Sequence, residues 1–164
     1  MVHHLLAAYA PTLAPFPDTS YWAPSSFSSS QRTALAAGFP DIAVGMAHTI
    51  HCQLAGAFPG HTLVEIEKTT SLTVGDDVYK CTPDAVLEDK DGVRYVVEYK
   101  THWGAGETFP DQRALNQVMF NAACNNMSGI IVDAWPSAWE ETDGCVATAL
   151  TVVVTICRSS GVSN

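Results

Sequence analysis

The stretch that most limits what this chain can become is Cys81–Thr101, CTPDAVLEDKDGVRYVVEYKT. Asp89, Lys90, Asp91 and Gly92 carry turn chemistry, and Val93–Tyr99 is β-branched and aromatic, so the segment predicts a β-hairpin. Successive side chains on a strand point to opposite faces. Arg94, Val96, Glu98 and Lys100 therefore share one face, and Tyr95, Val97 and Tyr99 share the other. A carboxylate and an amine stand side by side, with an apolar face behind them.

The turn decides whether Asp84 joins them. A three-residue loop of Lys90, Asp91 and Gly92 pairs Asp89 with Val93 and carries the register back to Asp84 opposite Glu98. A two-residue Asp91-Gly92 turn sends Asp84 to the other face unless a bulge restores it. We expect the first register or its bulged equivalent, because only there do the carboxylates converge. Opposed positions bring Cβ atoms to roughly 5 Å. Two ionised carboxylates that close need a cation or a shifted pKa to coexist. Hard oxygen donors grouped in this way suit Mg²⁺ or Mn²⁺, and a nearby ammonium can orient or help deprotonate an attacking water. The chemistry so assembled is hydrolytic.

Pro83-Asp84, thirteen intervening residues, then Glu98-Tyr99-Lys100 resembles the signature of the PD-(D/E)XK nuclease superfamily, in particular its RecB-like and CRISPR-associated exonuclease-like branch. The resemblance spans about residues 43–132. It implies that Asp84, Glu98 and the Tyr99 carbonyl hold Mg²⁺ or Mn²⁺ and that Lys100 serves the attacking water. It also implies a metal-touching histidine on a preceding helix. Ala47 to His51 has the family's spacing with alanine in place of glycine, and Gly45 to His48 is one residue short, so His51 is preferred and His48 is the alternate. A glutamate often precedes the hairpin in that branch, which makes Glu65 a further candidate. The branch also places Q-x-x-x-Y on the following helix. Here Gln117 is followed four residues later by Asn121, so only Gln117 is carried over, as a substrate contact.

Along the chain, residues 1–30 read as an irregular arm with a helical turn at His4–Tyr9, four prolines and a Ser-rich end. Residues 31–164 read as a single domain. Within it a short helix is expected at Gln31–Ala37 and a stronger one from Ile42 to about Phe58 with Met46, Ile50 and Leu54 inward. His61–Val74 reads as a strand leading into the hairpin. Thr101–Pro110 reads as a loop in which Trp103 could stack on a base, and Asp111–Asn126 as a helix. Gly129–Trp135 reads as a buried strand, Pro136–Gly144 as an acidic loop and Val146–Cys157 as a last strand. The order suggests an α/β fold with a mixed β-sheet flanked by helices, a core of the restriction-endonuclease-like kind.

At 47% apolar and 15% charged residues the composition is that of a globular domain, which excludes a disordered tail protein. No apolar run is long enough to span a bilayer, and no Lys or Arg precedes Arg32, so neither a membrane span nor a targeting signal is expected. Five scattered cysteines without a C-x-x-C pair suggest reduced thiols in an intracellular setting. A net charge of −9 with only eight Lys and Arg opposes tight autonomous binding of nucleic acid, so bound divalent ions or a basic protein partner would have to offset it. The leading expectation is a metal-dependent nuclease, DNA favoured, of exonuclease or nickase type. The rivals are a cap-snatching-type RNA endonuclease and a structural or nucleic-acid-packaging protein built on a nuclease fold.

Overall fold

Apolar residues at spacings of three and four set the helices. Val2, Leu5 and Leu6 form one stripe, and helix α1 (Val2–Tyr9) buries all three. Ala43, Met46, Ala47, Ile50 and Leu54 form another, which helix α2 (Phe39–Ala57) buries in the same core. Pro59 and Gly60, the latter at φ +75°, follow its end. The computed structural model describes residues 2–9, 39–102, 109–141 and 145–158.

Seven strands follow: β1 (Thr62–Ile66), β2 (Thr70–Val74), β3 (Asp77–Cys81), β4 (Ala85–Glu88), β5 (Arg94–Thr101), β6 (Ser128–Glu141) and β7 (Cys145–Cys157). Helix α3 (Gln112–Asn125) connects β5 to β6. Five strands form one sheet in the order β1-β4-β5-β6-β7, with β5 and β6 parallel and the other pairs antiparallel, while β2 and β3 form a separate hairpin. The fold is α/β, a mixed sheet flanked by helices. One face, with Leu87, Val97, Tyr99, Ile130 and Val132, is covered by α1 and α2. The other, with Val86, Val96 and Ile131, is covered by Ala114, Val118 and Ala122 of α3. Each fully buried aliphatic side chain contributes about 1.5–3 kcal/mol.

The β4–β5 register is the one the three-residue loop demands. Ala85 pairs with Val97, Leu87 with Tyr95 and Glu88 with Arg94, which sets Asp84 level with Glu98. The Asp89 N–H donates to the Val93 carbonyl at 2.9 Å, and Gly92 takes the left-handed conformation at φ +79° that only glycine adopts freely. Asp89 Oδ1 accepts the N–H groups of Asp91 and Val93, so one carboxylate closes the turn. Asp111 caps α3 by accepting the Ala114 N–H at 2.7 Å. Gly129 is required by close approach, since a Cβ there would lie 2.7 Å from Val118 Cγ2.

Three expectations change. His61–Val74 is two strands, β1 and β2, because Glu67 at φ +46° donates its N–H to the Asp84 carbonyl and turns the chain. β6 runs on through Pro136 to Glu141 rather than ending in a loop. There β5 has already stopped, so a proline lacking its N–H deprives no second neighbour, and register shifts around Ala138 absorb it. The start of the expected arm is helix α1, docked in the main core. Gln31–Ala37, the Ser-rich loop and Trp103 lie outside the described residues. Among the described residues no helix is long and apolar enough to cross a membrane.

Leu5→Ala should lower the unfolding free energy by about 2–5 kcal/mol in chemical denaturation. A loss under about 0.5 kcal/mol, the range of an exposed position, would contradict the docking of α1.

Candidate active site

The site lies where β4 begins and β5 continues beyond it. With β4 absent past Ala85, the Tyr99 N–H meets a side chain instead of a strand and donates to Asp84 Oδ2 at 2.7 Å. The Asp84 carbonyl accepts the Glu67 N–H at 3.0 Å, so its main chain is fixed as well. Glu98 points to the opposite side from Val97 and Tyr99, under α3. Its side chain is 1% exposed. Gln117 Nε2 donates to its Oε2 at 3.0 Å, and Asn121 Nδ2 donates to its Oε1 in a close hydrogen bond. Both donors lie one helical turn apart on α3, which is why a single helix clamps both oxygens. Lys100 Nζ lies 3.9 Å from Glu98 Oε2 but donates to Gln117 Oε1 at 2.7 Å, so the glutamine holds the ammonium away from the carboxylate.

Burial pushes the Glu98 carboxyl up to about 7, and the neighbouring Asp84 charge adds to the rise, while the Asn121 hydrogen bond and Lys100 oppose it. Burial and the same Asp84 charge hold the Tyr99 phenol firmly protonated.

His3 completes the group from the other face of the sheet. Its Nε2 lies 2.6 Å from the Tyr99 carbonyl oxygen and 3.5 Å from Asp84 Oδ2. A carbonyl only accepts, so Nε2 carries the proton there. An N–H donor thus lies against two of the oxygens expected to ligate a cation. These residues fit a hard divalent ion: two carboxylates that repel each other, one of them buried, and a main-chain carbonyl. Among the described residues no three His, Cys, Asp or Glu side chains gather as a metal cage.

Asp84, Glu98, Tyr99 and Lys100 come together as their spacing predicts, and Gln117 joins them, as a bridge between Lys100 and Glu98. His48 and His51 sit on α2, on the face of the sheet opposite Glu98, and burial, then the charges of His61 and His48, lower the His51 pKa. Glu65 pairs with Lys68 at 2.7 Å. Two site residues escaped the sequence reading. Asn121 was noted only for its spacing of four from Gln117, and that spacing was its signal. His3 had only the Val2, Leu5, Leu6 stripe, which makes its segment a docked helix.

No family model and no curated protein matches the chain. A solved structure, the crystal structure of a protein designated SSO0001, aligns with 75% of this chain at 25% identity and a TM-score of 0.42. This chain spans 54% of the length of that one.

The raised Glu98 pKa means that the folded, metal-free state binds a proton which the unfolded chain has released between pH about 4.5 and about 7. Stability of the metal-free protein should therefore fall as pH rises through that window, by up to about 3 kcal/mol. Glu98→Gln should flatten the profile in urea denaturation. An equally steep slope in that variant would remove Glu98 as the cause.

Proposed function

We propose that the protein is a metal-dependent phosphodiesterase acting on nucleic acid. The observation that carries this reading is the convergence of Asp84, Glu98 and Lys100 at one end of the β4–β5 hairpin, with Glu98 1% exposed and its pKa raised by burial and by Asp84. A structural acid is seldom left in that condition, because a buried carboxylate beside another acid destabilises the fold unless a ligand compensates.

Asp84, Glu98 and the Tyr99 carbonyl would hold Mg²⁺ or Mn²⁺. The bound ion would supply charge neutralisation at the phosphoryl oxygens and acidify water at the site. Each Glu98 oxygen spends one lone pair on an amide of α3 and keeps another for a ligand. Lys100, held by Gln117 clear of Glu98, is placed to orient the attacking water and to stabilise the negative charge that grows on phosphorus-bound oxygen. His3, whose Nε2 lies against the Tyr99 carbonyl and Asp84, would either turn to ligate an ion held there or move aside from it. The net charge of −9 makes affinity for a polyanion depend on the loaded ion.

With Mn²⁺, Lys100→Met should reduce cleavage of single-stranded DNA at least about a hundredfold. Mn²⁺ binding in calorimetry should persist in that variant and be lost in Asp84→Ala. Undiminished cleavage by Lys100→Met would take the lysine out of the chemistry.

A further inference from the structure

Just beyond the end of β5 lies a second pair, the half-buried His102 and the buried Asp133. His102 follows Lys100 at the strand's period of two, and Asp133 lies on β6 level with Lys100. Asp133 is fully buried, its Oδ1 is 2.8 Å from His102 Nε2, and its Oδ2 has no hydrogen-bond partner among the described residues. The imidazole is held by two contacts: Asp133 takes one nitrogen, and Phe109 stacks on the ring at a centroid distance of 3.6 Å, itself backed by Trp135 at 5.1 Å, while the main-chain N–H of His102 donates to the Ala134 carbonyl at 2.9 Å. An ionised carboxylate only accepts, so Nε2 carries a proton and Nδ1 is the ring's other polar atom.

This ring lines a cleft of about 250 Å³ together with Lys100, Asp111, Arg113, Ala114 and Gln117. Two of the chain's eight Lys and Arg thus face one small cavity, beside the first turn of α3. Among the described residues, three acids lie beside it: Asp111 accepts the Ala114 N–H, Asp133 holds His102 through Oδ1, and Glu98 accepts from Gln117. In a chain of net charge −9 the cleft gathers two of the cations, and it shares Lys100 with the candidate active site.

We propose that the cleft is a phosphate subsite in which Arg113 and the Asp133-held His102 grip a phosphate of the substrate next to the one cleaved. Arg113 supplies a planar fork of donors, the α3 N-terminus lies beside it, and His102, whose Nε2–H goes to Asp133, offers Nδ1–H when the ring is the imidazolium. Asp133 is a positioning residue, acting only through the ring. The subsite rests on the phosphodiesterase reading for its substrate, but its own chemistry is phosphate recognition. A backbone diester and a terminal monoester share that chemistry.

The test has two arms on the full chain. Without metal, inorganic phosphate is titrated against protein carrying ¹³C-labelled histidine, and the His102 ring resonances should move in the wild type and stay still in Arg113→Met. With Mn²⁺, steady-state cleavage of oligonucleotides with and without a 5′-phosphate is measured. Arg113→Met and His102→Gln should each raise KM about tenfold and reduce the slope of log affinity against log salt by about one. A KM effect on both substrates assigns a backbone phosphate, and one confined to the phosphorylated substrate assigns a terminal phosphate. Ring resonances indifferent to phosphate, together with an unchanged KM and salt slope in both variants, would overturn the subsite even if cleavage is robust. A wild type that cuts nothing yet shows the Arg113-dependent shift would keep the subsite and sink the nuclease reading.

Discussion

Everything at this site depends on how one carboxylate, Glu98, is kept inside the protein. A buried acid next to a second acid is costly, and the chain spends several features on it: two amides from one turn of α3, an ammonium held slightly apart, and Asp84 fastened to the next main-chain N–H. None of these neutralises the pair. The two amides carry no charge, Lys100 is turned toward Gln117, and burial still lifts Glu98 to about 7. A small, strongly charged, oxygen-seeking ion is the partner we propose for the pair, which links a stability argument to a functional one.

The fold sets this up with few parts. Ending β4 at Ala85 while β5 runs on to Thr101 leaves main-chain groups without a strand on one side, and Asp84 takes one of them. The parallel step from β5 through α3 to β6 lays α3 over Glu98 and also brings Asp133 level with Lys100. From the other face α1 delivers His3 to the Tyr99 carbonyl. Two helices on opposite faces therefore meet at one strand end.

The hairpin register was legible because a three-residue loop with glycine in the left-handed position and a period of two leave little freedom. The inward face of α2 was legible for the same reason, a sustained spacing of three and four. His3 was not, because its importance arises from tertiary docking of eight residues whose local pattern says only that they form a helix. His51 was expected from the helix spacing alone, and the helix that carries it packs its apolar side on the same face of the sheet as α1. The break at Glu67 left no signal in composition, since a positive φ at a glutamate is imposed by its bond to the Asp84 carbonyl. Asp133 read as part of an apolar strand, and its role depends on which residue of β5 stands beside it.

The central claim is that Asp84 and Glu98 are two halves of one cation site. The most direct measurement is anomalous diffraction from crystals soaked in Mn²⁺. The account predicts a single strong peak touching one carboxylate oxygen of each acid and the Tyr99 carbonyl oxygen, with the His3 ring either turned onto the ion or displaced from it. A map at saturating Mn²⁺ with no peak there, Asp84 still on the Tyr99 N–H and His3 still on the carbonyl, would contradict it.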